Sequence, residues 1–167
     1  MNPQTSFLYN FAANPSAPYG HMYHPSGGQQ ITNNPSFMGG WGFITAANGV
    51  TLNASAGTIN LPIAGTYQVN LNLNFAAPTS ANYCVVVQIA NAISWVVYAE
   101  IDCLLPSTRY SGTAISALIS CKANTTIGAI VYSPDLASGQ YLAIGFLGSG
   151  NGGEFSAIYA SAFSTTY

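Results

Sequence analysis

The chain has 167 residues, a formal charge of −2, 49% hydrophobic and 13% aromatic residues, and only 4% charged residues, where about 25% is ordinary. Arg109 and Lys122 are its only fixed positive side chains, too few to neutralise a nucleic-acid backbone or to hold an anionic lipid surface, so both partners are excluded. So many aromatics with so little charge also exclude a disordered chain and imply a folded domain whose surface is built from Asn, Ser, Thr, Gln, Gly and Tyr.

Residues 1–40 differ from the rest. Pro3, Pro15, Pro18, Pro25 and Pro35 interrupt any helix or strand period, while Phe7, Tyr9, Phe11, Tyr19, Tyr23 and Phe37 recur between them. The segment is expected to be an extended arm that docks its rings on a neighbouring subunit, the base of its own domain or a capsid. Phe7, Tyr9 and Phe11 are the expected anchors. His21 and His24 are expected to be ordinary loop histidines; a metal would need several copies to meet on an axis. Met1-Asn2-Pro3-Gln4-Thr5 has no basic residue and no apolar stretch after it, so no secretory signal is expected. No apolar run is long enough to cross a bilayer by helix, and no membrane insertion is expected.

A domain is expected over residues 41–167. Gly39-Gly40-Trp41-Gly42-Phe43-Ile44 marks its entry, with Trp41 and Phe43 beginning the first strand. Asn48-Gly49 reads as a type I′ hairpin turn before the strand-like Val50-Thr51-Leu52. The clearest strand follows the turn residues Pro62 and Gly65. In it Tyr67, Val69, Leu71, Leu73 and Phe75 alternate with Gln68, Asn70, Asn72 and Asn74. Successive side chains of a strand point to opposite faces, so one face is a core face and the other an uncharged amide face.

Further strands are expected over residues 83–89, 94–101, 111–121, 126–132, 141–147 and 155–163. The first is apolar throughout and should be covered on both faces. Residues 102–110, 133–140 and 148–153 read as loops. Asn124 is expected to take the left-handed position of the turn at residues 122–125. Short strands separated by turn signals, with no helical period, indicate an antiparallel β-sandwich or barrel.

The run Ile59-Asn60-Leu61-Pro62-Ile63-Ala64-Gly65-Thr66-Tyr67-Gln68-Val69 resembles the Gly-x-Tyr-x-apolar stretch of the C1q/TNF-like jelly rolls, and residues 41–163 follow the order of strands of that fold. Asn124-Thr125 and Ala157 stand where the family usually has a Gly-Asp pair and a glycine. The resemblance implies an all-β jelly roll that forms a homotrimer. In the related folds one sheet packs the core with one face and meets neighbouring protomers with the other. Gln68, Asn70, Asn72 and Asn74, with Phe155, Ala157 and Tyr159 of the closing strand, are the trimer-interface residues expected on that basis.

The stock of reactive groups is small. The acids are Glu100, Asp102, Asp135 and Glu154. Glu100 and Asp102 share a strand parity that a glycosidase pair would need, but a solvated strand end is the ordinary explanation. No catalytic residue, cofactor site or metal site is expected. Cys84, Cys103 and Cys121 are odd in number and lie in apolar runs, so they are expected to be thiols used as small hydrophobes. The expected role is therefore structural or adhesive: a virion decoration, cement or fibre-head protein of phage type, located on a virion or an extracellular surface. Its partners would be itself and, through residues 1–40, a capsid or other assembly protein. A carbohydrate-binding lectin or adhesin using cell-surface glycan is the alternative reading.

Overall fold

The computed structural model describes residues 17–25, 29–76, 81–107, 111–144 and 151–161. Among them thirteen strands occur in chain order: β1 (Tyr19–Pro25), β2 (Gln30–Ile31), β3 (Ser36–Phe37), β4 (Phe43–Asn48), β5 (Thr51–Asn53), β6 (Thr58–Leu61), β7 (Gly65–Phe75), β8 (Tyr83–Asn91), β9 (Val97–Leu105), β10 (Ser111–Cys121), β11 (Thr125–Tyr132), β12 (Leu142–Ala143) and β13 (Asn151–Ser161). One sheet has the order β10-β7-β13-β1-β4. The other runs β5-β6-β11-β8-β9, with β3 also on β11, and β12 pairs β2. Every pairing is antiparallel.

The two sheets close on one core. Tyr67, Val69, Leu71, Leu73 and Phe75 of β7 are all buried, as their alternation requires. Facing them are Ile59 and Leu61 of β6, Val85, Val87 and Ile89 of β8, and Ile127, Ala129 and Val131 of β11. β8 is covered on both sides: Val86 and Ala90, of opposite parity to the core residues, are buried too. Tyr67 also fixes the preceding turn, because its hydroxyl donates to Ile63 O (3.0 Å) and accepts from Ile63 N (3.3 Å).

The arm ends earlier than its prolines suggest. Residues 19–25 form β1, inserted between β13 and β4, so the boundary expected at residue 40 is corrected to one before Tyr19. Pro18 precedes the strand and Pro25 ends it, where the pairing with β13 shifts register. Its inward positions are Gly20, Met22 and His24, a set without the usual apolar alternation. Gly20 is required there, since a Cβ would lie 2.5 Å from Val50 Cγ2 and 2.7 Å from Leu52 Cδ2. Residues 36–41 belong to the domain as well. Met38 N donates to Ala129 O, Gly40 N to Ser55 O and Trp41 N to Ala54 O. Trp41 is an interior plug in place of a strand opening. It is 2% exposed, its indole N–H donates to Met38 O (2.9 Å), and it meets His24 edge-on and Phe155 at a tilt.

Three other readings change. Asn48-Gly49 does not close a hairpin: β4 pairs β1 and β5 pairs β6, so this turn carries the chain from one sheet to the other. Gly49 has φ +69°, but Asn48 does not share the positive φ that a type I′ turn demands at both positions. β9 runs to Leu105, into the expected loop, and starts at Val97 because Asn91 winds a turn first. The strand expected over residues 141–147 is reduced to β12 and a single bridge from Ile144 to Phe75, with residues 145–147 outside the described ones. Asn124 has φ +61°, the left-handed position expected of it.

Candidate self-association surface

The outward face of the five-stranded sheet is set by its registers. Across β10, β7, β13 and β1, one row is Ala114, Asn72, Glu154 and Tyr23. The next is Ser116, Asn70, Ser156 and His21, and a third is Leu118, Gln68, Ile158 and Tyr19. Glu154 is the only formally charged side chain in these rows. On β10 and β7 the face is mostly small residues and amides, with the larger Tyr19, His21, Tyr23 and Ile158 on β1 and β13. Ser116 Oγ donates to Asn70 Oδ1 at 2.7 Å, Thr66 and Ser120 hydroxyls pair at 3.0 Å, and Asn74 lies over Gly112, where a Cβ would come 3.0 Å from its Oδ1. Leu118 stands out of this surface, 70% exposed on the edge strand.

The four expected amides lie together on this face: Asn72 is exposed, and Gln68, Asn70 and Asn74 are half-buried. Phe155 and Ala157 do not join them. They pair with Leu71 and Val69 and are fully buried inside the protomer, so their expected place in an interface is corrected. The reason is parity: neighbours in register share a face, and a phenylalanine opposite a core leucine is a core residue. Tyr159 pairs with Tyr67, and its side chain lies outside the described ones. The outward residues of β13 are Glu154, Ser156 and Ile158, which sequence reasoning missed. The large apolar Phe155 was the signal that could have set the phase. The anchors Phe7, Tyr9 and Phe11 lie outside the described residues.

Other candidate chemistry is dispersed. His21 faces outward and His24 inward, so they cannot share one ion within a protomer. Glu100 and Asp102 are exposed on the outer face of β9, where Gln88 donates to Glu100. Asp135 accepts from Cys84 N at 2.7 Å. The three cysteines are free thiols. Burial raises the pKa of Cys84, with Asp102 and Asp135 adding to it; burial also raises that of Cys103, beside Cys84, and that of Cys121.

A second surface is the turn between β8 and β9. Ile93, Trp95, Val96 and Val97 are exposed there, and Trp95 meets Phe37 edge-on at 4.6 Å.

The globular domain of zebrafish complement 1qA protein superposes with a TM-score of 0.64 at 10% identity, covering 87% of this chain and 98% of that one. A crystal structure of murine APRIL at pH 5.0 gives 0.60 at 14% identity, covering 86% and 98%. No protein-family model and no curated protein sequence matches the chain. At these identities the likeness is one of fold. The chain has the C1q/TNF-like jelly-roll fold.

Proposed function

We propose that this protein is a non-enzymatic structural or adhesive jelly roll that works as a homotrimer, displayed on a virion as a decoration, cement or fibre-head protein. The observation that carries self-association is β10. It is an 11-residue sheet edge with no charged residue, no proline and no register shift along its pairing with β7. Sheet edges are ordinarily protected by Lys, Pro or a bulge, because an open flat edge recruits other strands. An unprotected edge continuous with a nearly neutral face and a protruding Leu118 suits a second copy of the same chain as its cover. Three copies is the number that the C1q/TNF-like resemblance implies. A surface held together without ion pairs also suits display in variable salt.

The test is Asn70→Lys combined with Leu118→Lys. Both side chains lie on the outward face, so the protomer keeps its core, while like charges would meet in the assembly. Light scattering should report monomer for this variant, and an unchanged mass would remove the face from the interface. A glycan array separates the display role from a lectin: selective binding of one glycan class favours the lectin.

A further inference from the structure

The end of the sandwich at which β6 turns into β7, β8 into β9 and β10 into β11 carries an uncovered apolar tip. Ile93 is 79% and Trp95 51% exposed, with Val96 and Val97 exposed too and, in the β6–β7 turn at the same end, Ile63. Four successive backbone N–H groups of the tip already have partners within the protomer. Ala92 N donates to Thr126 O (2.8 Å), Ile93 N and Ser94 N both donate to Asn91 Oδ1 (2.9 Å), and Trp95 N donates to Asn91 O (2.9 Å). Those donors give up no hydrogen bond to water when something apolar covers them. Trp95 is held at φ +61°, a conformation a bulky residue adopts only when its surroundings impose it. Residues 91–97 contain no charge.

We propose that residues 1–16 of the same chain cover this tip, setting Phe7, Tyr9 and Phe11 against Ile93, Trp95 and Val96. The inference rests on the reading of that segment as an aromatic docking arm and names the surface on which it docks. Three observations select this occupant. The first is position. Tyr19 pairs with Ile158 and Ile158 with Gln68, three residues from the start of β7 at Gly65, while Gly65 pairs with Cys121, Thr125 with Leu61 and Ile127 with Asn91. The chain before Tyr19 therefore leaves the sandwich at the end where the tip lies. The second is reach. β1 and the β8–β9 turn are separated by two to three strand positions and one sheet spacing, about 15–20 Å at about 4.8 Å per strand and about 10 Å between sheets. Phe11 lies six residues before Ala17, which spans about 20 Å when extended, and Tyr9 and Phe7 reach further. The third is chemistry: residues 1–16 carry no charged side chain, so covering the tip desolvates no side-chain ion on either side.

Acrylamide quenching of tryptophan fluorescence tests the docking, on the purified full chain and on a chain lacking residues 1–16, which keeps β1 whole. Trp41 and Trp95 are the two tryptophans, and Trp41 is buried, so the quenchable signal is that of Trp95. Deletion should raise the quenching constant severalfold, equally at high protein concentration and after tenfold dilution. Phe7→Ser, Tyr9→Ser and Phe11→Ser combined should do the same with the chain length intact. Equal quenching in all three proteins overturns the docking. Protection that fades on dilution assigns the cover to a neighbouring copy and overturns it as well. Light scattering on the same samples separates the two readings. A deletion that changes the mass but not the quenching sinks this docking and leaves the arm's part in assembly standing.

Discussion

Leu71 is the plainest single-residue test of the core. It is fully buried at the middle of β7, opposite Phe155 on one side and Ile115 on the other. Leu71→Ala should destabilise by about 2–5 kcal/mol, the range for large-to-small core changes, and chemical denaturation would measure it. Gly57 tests the backbone instead. It has φ +67°, and a Cβ there would sit 1.6 Å from Met38 O, the oxygen that accepts the Trp41 indole N–H. Gly57→Ala should therefore cost more than about 1 kcal/mol, since alanine at positive φ is strained even without a clash. A variant as stable as the parent would show that the 38–41 segment does not pack on the β5–β6 turn. The thiols give a pH-dependent test. A raised pKa keeps each cysteine protonated past the ordinary range, and the thiolate is the form that reacts. Alkylation of the folded protein at neutral pH should be slower at all three than in denaturant and should accelerate only as pH climbs above about 8.5. Fast labelling of Cys84 at pH 7 would contradict its burial and the two nearby carboxylates.

At the scale of elements, β1 is the informative strand. Removing residues 1–16 should leave the cooperative unfolding transition in place. Removing residues 1–25 takes the strand from between β13 and β4, strips Met22 and His24 from the core and should abolish that transition. Calorimetry of the two truncations compares them directly. This strand also shows what could not be read from sequence. β7 was legible because a long period-two run of large apolar residues has one sensible packing. The inward positions of β1 are a glycine, a methionine and a histidine, and their fitness depends on Val50, Leu52 and Trp41, which no local pattern reveals. Asn48-Gly49 shows the same limit: turn chemistry announces a reversal but does not say whether the next strand stays in the same sheet. β13 was legible as a strand and misread in phase, because Phe155, Ala157 and Tyr159 fit an aromatic interface as well as a core until their register with Val69 and Leu71 is known. That register also places Glu154, Ser156 and Ile158 on the candidate surface, beside the amides that the alternation of β7 discloses.

For the whole molecule, the scarcity of charge governs behaviour. Only 4% of residues are charged, so neither folding nor assembly draws much on ion pairs, and salt screens little that matters. Between about 0.05 M and about 1 M salt, where the Debye length falls several-fold, melting temperature and oligomeric mass should both hold nearly constant. A mass that drops in high salt would point to an electrostatic interface, which the neutral face does not offer. Self-association requires that face, the outward rows of β10, β7, β13 and β1, to be covered by copies of the same chain. The most direct measurement is the solution mass of the full-length protein by multi-angle light scattering. Three times the 17.4 kDa of one chain is the predicted result, and a single-chain mass across the accessible concentration range would contradict it.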